Sequence, residues 1–90
     1  MKQMMPTELK AWLDDSEREQ PLLLDVREPW EFGMCSIEGS LAMPMNSVPA
    51  RFRELDANRQ VVVICHHGGR SMQVAMFLER QGFAQVINLA

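Results

Sequence analysis

The stretch that most constrains this chain is Val61-Val62-Val63-Ile64-Cys65-His66-His67-Gly68-Gly69-Arg70-Ser71. Its four leading β-branched residues have the length and content of a strand buried on both faces. Met72 to Gln81 follows at helical spacing, with apolar positions 72, 75 and 76 on one side and 74, 77 and 78 on an adjoining side. A strand, a short loop and a helix therefore meet at one cysteine.

That placement has chemical consequences. A helix start leaves backbone N–H groups without intrahelical partners and carries the positive end of the macrodipole. Gly68 and Gly69 are expected to let the loop curl so that its N–H groups converge, because glycine adopts dihedrals that other residues avoid. A thiolate at the centre of such a cradle is stabilised, and its pKa is expected below the ~8.5 of a free thiol. Arg70 adds a permanent charge and a planar fork suited to an oxyanion. Many free cysteines at strand ends are only small buried hydrophobes. The Gly-Gly turn, the arginine and the helix together favour Cys65 as a nucleophile beside an anion site.

Ninety residues suit one domain, spanning 1–90. Nine basic and twelve acidic side chains leave a net charge of -3, which supplies no global basic field for nucleic acid or an anionic membrane. Two cysteines, Cys35 and Cys65, make no disulfide framework. No charged-then-apolar leader opens the chain, and no apolar run approaches the ~20 residues of a membrane span. A reducing, cytoplasmic setting is the expectation. Cys65, His66 and His67 are adjacent on a tight loop and match no usual zinc spacing, so no metal site is expected.

Pro6 to Leu13 has the pattern of a short helix, with Pro6 at its first position and Leu9, Trp12 and Leu13 as its apolar stripe. Met1 to Met5 is consistent with a brief strand. Leu22 to Val26 is a second buried parallel strand, with Asp25 near its carboxyl end. Ligands bind beyond that end in open α/β sheets, so Asp25 and Cys65 are expected to face one crevice. Arg27 and Glu31 are expected to form an ion pair, and 33–39 to be irregular. Residues 40–44 read as an edge strand stopped by Pro44. Asn46-Ser47 is expected to cap a helix over 48–55. Gly82 suits the position just past the helix that ends at Gln81, and Val86 to Leu89 forms a last strand. Strands alternating with helices predict an α/β fold: a mainly parallel central sheet with helices on both faces.

Three stretches of the chain resemble the rhodanese family of sulfurtransferases. Leu22-Leu23-Leu24-Asp25-Val26-Arg27-Glu28, followed by Glu31-Phe32, Ile37, Gly39 and Pro44, is similar to the family's first signature. Cys65 to Ser71 resembles its active-site loop, with four residues between cysteine and arginine. Phe77-Leu78 through Gly82-Phe83, then Val86 and Leu89, resembles the helix and strand that follow. The resemblance implies that Cys65 takes a sulfur atom from a small anionic donor such as thiosulfate and passes it, as a persulfide, to a thiol or sulfur-carrier acceptor. It further implies that His66, His67, Gly68, Gly69, Arg70 and Ser71 bind the donor or cradle the persulfide, with Asp25 and Arg27 supporting the loop and no cofactor needed.

Phosphatases and arsenate reductases of the same fold carry five residues between cysteine and arginine, a wider cradle, and are ranked below sulfur transfer. A non-catalytic binding or regulatory module is the other alternative, and the intact Cys65 and Arg70 count against it. The loop differs from the Cys-Gly-Ser-Gly type of mercaptopyruvate enzymes, which tilts the donor towards thiosulfate. Cys35-Ser36 stands where the family commonly has Gly-His, and Ala42 where it has asparagine. Family members usually continue past the last strand into another helix, whereas this sequence ends at Ala90. Either this sequence is a fragment, or a homodimer or an element swap covers the apolar face; concentration-dependent association is the expectation.

Overall fold

The computed structural model describes residues 1–66 and 69–90. Its strands are β1 (Lys2–Met4), β2 (Leu22–Asp25), β3 (Leu41–Ala42), β4 (Val61–Ile64) and β5 (Val86–Leu89). They form one sheet in the order β1-β5-β4-β2-β3, and every neighbouring pair is parallel. The all-apolar β4 is buried at every position, as a central strand covered on both faces must be.

The side-chain alternation of the strands divides the core in two. Leu24, Val61, Val63 and Val86 face one layer with Val74, Ala75 and Leu78 of helix α4 (Gly69–Arg80). Leu23, Val62, Ile64, Ile87 and Leu89 face the other, with Leu9 and Trp12 of helix α1 (Pro6–Leu13). Helices thus cover both faces, as expected. The buried stripe of α4 runs through Ser71, Val74, Ala75 and Leu78, while Met76 is exposed. Beyond α4, Phe83 N–H donates to the Leu78 carbonyl at 3.1 Å and Gly82 N–H to that of Glu79 at 3.1 Å. Gly82 has a φ of 98°, the left-handed value this closing turn requires.

Several elements differ from the sequence reading. Pro29–Met34 is a helix, α2, that buries none of its residues. The helix expected over 48–55 is broken: α3 (Val48–Arg51) lies between 3-10 turns at Met45–Ser47 and Phe52–Glu54. Ser47 does not cap it; its hydroxyl donates to the Pro44 carbonyl at 2.7 Å. Pro44 precedes the first of these turns, and Pro49 lies in the first turn of α3, where its missing donor removes no intrahelical bond. The edge strand shrinks to Leu41–Ala42, although Met43 N–H still reaches the Asp25 carbonyl at 2.9 Å and Met45 N–H that of Val26 at 3.0 Å. The helix after the cysteine begins at Gly69, inside the loop expected to precede it.

Candidate active site

Register brings the carboxyl ends of β2 and β4 together, with Asp25 beside Ile64 and Val26 N–H on the Ile64 carbonyl at 3.0 Å. Cys65, half-buried, is the first residue beyond β4. Its Sγ accepts the Ser71 backbone N–H at 3.3 Å, and its thiol donates to Ser71 Oγ at 3.3 Å. Ser71 is the third residue of α4, so its N–H is one of those a helix start leaves without an intrahelical acceptor. The early start of α4 is what points that donor at the sulfur.

A line of uncharged groups continues from there. The fully buried Ser71 donates its hydroxyl to Asn88 Oδ1 in a very short hydrogen bond. Asn88 Nδ2 donates to Gln3 Oε1 at 3.0 Å. Gln3 and Asn88 are direct neighbours across β1 and β5, which places both amides on the α4 side of the sheet. Asn88 is 2 % exposed, and an amide buried that deeply is tolerable only because both of its ends are paired.

The other side of the site is charged. Arg70 grips Glu31 of α2 with two parallel bonds, Nη1 to Oε1 at 2.7 Å and Nη2 to Oε2 at 2.9 Å. Glu31 Oε1 also accepts the Glu28 N–H at 2.8 Å. The Arg70 guanidinium, and after it the Glu28 N–H, holds the Glu31 carboxyl down at about 2. The same pairing raises the Arg70 pKa above its ordinary value. Arg27 does not pair with Glu31 as expected. Its guanidinium lies on the buried Asp25, with Nη2–Oδ2 at 2.8 Å and Nε–Oδ1 at 3.0 Å, and Nη2 also donates to the Cys35 carbonyl at 2.6 Å. Arg27 is only two residues past Asp25, and that carboxylate also accepts the Arg27 N–H at 3.0 Å, so the local turn outcompetes the i,i+4 alternative. The Asp25 bond raises the Arg27 pKa.

Cys65, His66, Asp25, Arg27, Cys35 and Ile37 line a common cavity of about 260 Å³. A larger apolar groove, of about 440 Å³ between Met45, Val48 and Phe77, contains neither cysteine. Asp25, Arg27 and Cys65 therefore share one crevice, and the contacts of Arg27 tie the strand end to the segment at Cys35. His66 is exposed, as is Cys35. His67 and Gly68 lie outside the described residues. Gly69 does not play the conformational part expected of it: it is helical, its φ is not positive, and a Cβ there would meet nothing within 4 Å. Among the described residues no group of three His, Cys, Asp or Glu side chains converges as a metal site.

The sequence reading assigns no site role to Glu31, Asn88 or Gln3. Glu31 has no local mark, because its partner is 39 positions away. Asn88 does carry one: it is the single amide in an otherwise apolar, wholly buried strand.

A rhodanese-like domain model matches residues 5–90. The chain belongs to this family. The rhodanese-like chain is 38% identical over 74 residues to a "Sulfurtransferase" of Allochromatium vinosum, a match covering 82% of this chain and 69% of the relative. It is 37% identical over 73 residues to "Thiosulfate sulfurtransferase GlpE" of Pseudomonas syringae pv. syringae, covering 80% and 69%. The crystal structure of a rhodanese-like domain protein from Staphylococcus aureus superimposes with a TM-score of 0.90 at 29% identity, covering 99% of this chain and 84% of that one. Fold and family are those of rhodanese-like domains, and both of these relatives carry sulfurtransferase names.

Proposed function

We propose that this rhodanese-like domain transfers sulfur through Cys65, with thiosulfate or a similar anion as donor. The observation that carries the reading is Cys65 Sγ held at 3.3 Å from the Ser71 N–H at the positive end of α4, where a thiolate or persulfide anion is stabilised. In the first step the Cys65 thiolate attacks the outer sulfur of thiosulfate. The donor's S–S bond breaks, sulfite leaves with the bonding pair, and Cys65 becomes a persulfide anion. In the second, a thiolate, cyanide or a sulfur-carrier protein attacks that outer sulfur, and the Cys65 thiolate leaves.

Of the two roles open to Arg70, holding the loop is favoured by its grip on Glu31, since its fork already faces a carboxylate. Asp25 and Arg27 shape the wall of the crevice. A sulfur-carrier or low-molecular-weight thiol is the proposed acceptor, and the cytoplasm, which keeps thiols reduced, the proposed setting.

Steady-state kinetics with thiosulfate and cyanide test the reading. Parallel double-reciprocal lines, with all turnover lost in Cys65→Ser, are expected. Intersecting lines, or turnover surviving in Cys65→Ser, would overturn it. No turnover in the wild type would favour a binding module.

A further inference from the structure

We propose that the buried amides of Asn88 and Gln3 set the direction of the hydrogen bond that Ser71 makes with Cys65, so that the line Cys65–Ser71–Asn88–Gln3 has one polarity for the thiol and the opposite one for the anion. The inference rests on Cys65 as the nucleophile of the proposed function.

The structure holds the first polarity. Gln3 Oε1 takes the Asn88 amide N–H at 3.0 Å, which turns Asn88 Oδ1 towards Ser71. Ser71 gives its hydroxyl hydrogen to that oxygen, and its Oγ accepts from the Cys65 thiol at 3.3 Å. In this line each group donates towards Gln3, and the arrangement suits an S–H group, which needs an acceptor.

Ionisation reverses the requirement. When the thiol proton leaves to solvent, Ser71 Oγ would present a lone pair to a negative sulfur. The same atoms accommodate the anion in the opposite sense. Ser71 turns its hydroxyl onto Sγ, the Asn88 amide rotates so that Nδ2 donates to Ser71 Oγ, and Gln3 offers Nε2 to Asn88 Oδ1. No proton travels along the line; one hydroxyl and two amides rotate. An amide suits this task because it carries a donor and an acceptor of nearly equal shape.

The far end makes the reversal inexpensive. Gln3 is exposed, and among the described residues its Nε2 meets only the weak acceptor Met72 Sδ at 3.8 Å. Solvent can serve whichever end of that amide turns outward. The buried links are thereby coupled to a terminus that costs little to turn.

Gln3 can be replaced without opening the core, which supplies the test. Gln3→Glu offers only acceptors and locks the polarity seen here. Gln3→Lys offers only donors and locks the reverse. The pH profile of Cys65 alkylation by iodoacetamide is measured on a Cys35→Ser background. Among the described residues, the other charged or titratable groups around Cys65 are Arg70 with its partner Glu31 and nearby Glu28, Arg27 with Asp25, and His66, and all stay unchanged.

Gln3→Glu is expected to raise the midpoint and Gln3→Lys to lower it, so that their rates below both midpoints differ by about tenfold or more. Part of any such difference is charge acting through space. The two substitutions are therefore repeated with Asn88→Val and, should that variant not fold, with Ser71→Ala, each of which cuts the line. The difference shrinking by more than half in the cut background supports the proposal. An unchanged difference there, or none with the line intact, overturns it. Sulfur loading from thiosulfate, scored separately on the same proteins, reports on the proposed function; loss of loading with the alkylation pattern intact would count against that reading alone.

Discussion

The two flanks of Cys65 are built from different chemistry. Towards α4 and β5 the sulfur meets neutral groups that are almost fully buried: the Ser71 N–H and hydroxyl, then Asn88. Towards α2 and β2 the site is framed by two ion pairs, Arg70–Glu31 and Arg27–Asp25. Ser71 hydrogen-bonds the sulfur from the neutral flank, whereas the charged flank grips backbone and neighbouring elements, and its Arg70 acts on Cys65 through space. Full charges fix the shape of the crevice from its rim; dipoles, cheaper to bury, are the groups hydrogen-bonded to the sulfur.

The largest effect that would break this contrast lies on the charged flank. Arg27→Ala leaves the Asp25 carboxylate, 1 % exposed, without its cation. Removing one partner of such a pair costs ~3 kcal/mol or more, a fall in Tm of more than ~10 °C for a chain this size. Thermal unfolding of Arg27→Ala, Asp25→Ala and the double variant should show the double much less destabilised than the sum of the singles. Additive effects would mean that the pair is not a unit.

Ser71→Ala comes next. It strips the hydroxyl from between Cys65 and Asn88 and leaves a buried amide oxygen unpaired, a cost of ~1–3 kcal/mol measurable by urea unfolding. Unlike Arg27→Ala, it should also slow Cys65 alkylation near neutral pH by severalfold. Equal alkylation rates would remove the hydroxyl from the account of the sulfur.

Glu31→Gln sharpens the contrast through pH. The folded-state pKa of Glu31, about 2, lies below its ordinary 4.5, so the stability it supplies is complete above about 4.5. That stability is lost as pH falls towards 2. Urea unfolding should show wild type ahead of Glu31→Gln at pH 7, with the gap closing through this window. A gap constant from pH 7 to pH 2 would contradict the pairing.

The smallest effect has the opposite sign. Gly69→Ala places a Cβ in open space at the start of α4 and should stabilise the fold by up to ~1 kcal/mol. Destabilisation would show that Gly69 is needed for its conformation.

What was legible in the sequence follows the range of the interactions involved. β4 and α4 announce themselves by runs and periodicities within about ten residues, so the α/β sheet and the cysteine at its carboxyl end are readable without contacts. Helix α2 is not, because it buries no residue and so writes no apolar stripe; Trp30 and Met34 on it are exposed. The pairing of Glu31 fails for a related reason. Arg27 sits four positions away, but its guanidinium belongs to Asp25, and the true partner Arg70 is brought in by tertiary structure. The Asn88–Gln3 link joins residues 85 apart and depends on β1 adding beside β5, which only the folded register reveals.

The most direct test of the central claim is intact mass with peptide mapping after incubation with thiosulfate, for wild type and Cys65→Ala. One added sulfur atom is expected on the peptide containing Cys65, released by cyanide as thiocyanate and absent from the variant. Sulfur carried on Cys35 instead, or no adduct on the folded wild type, would contradict it.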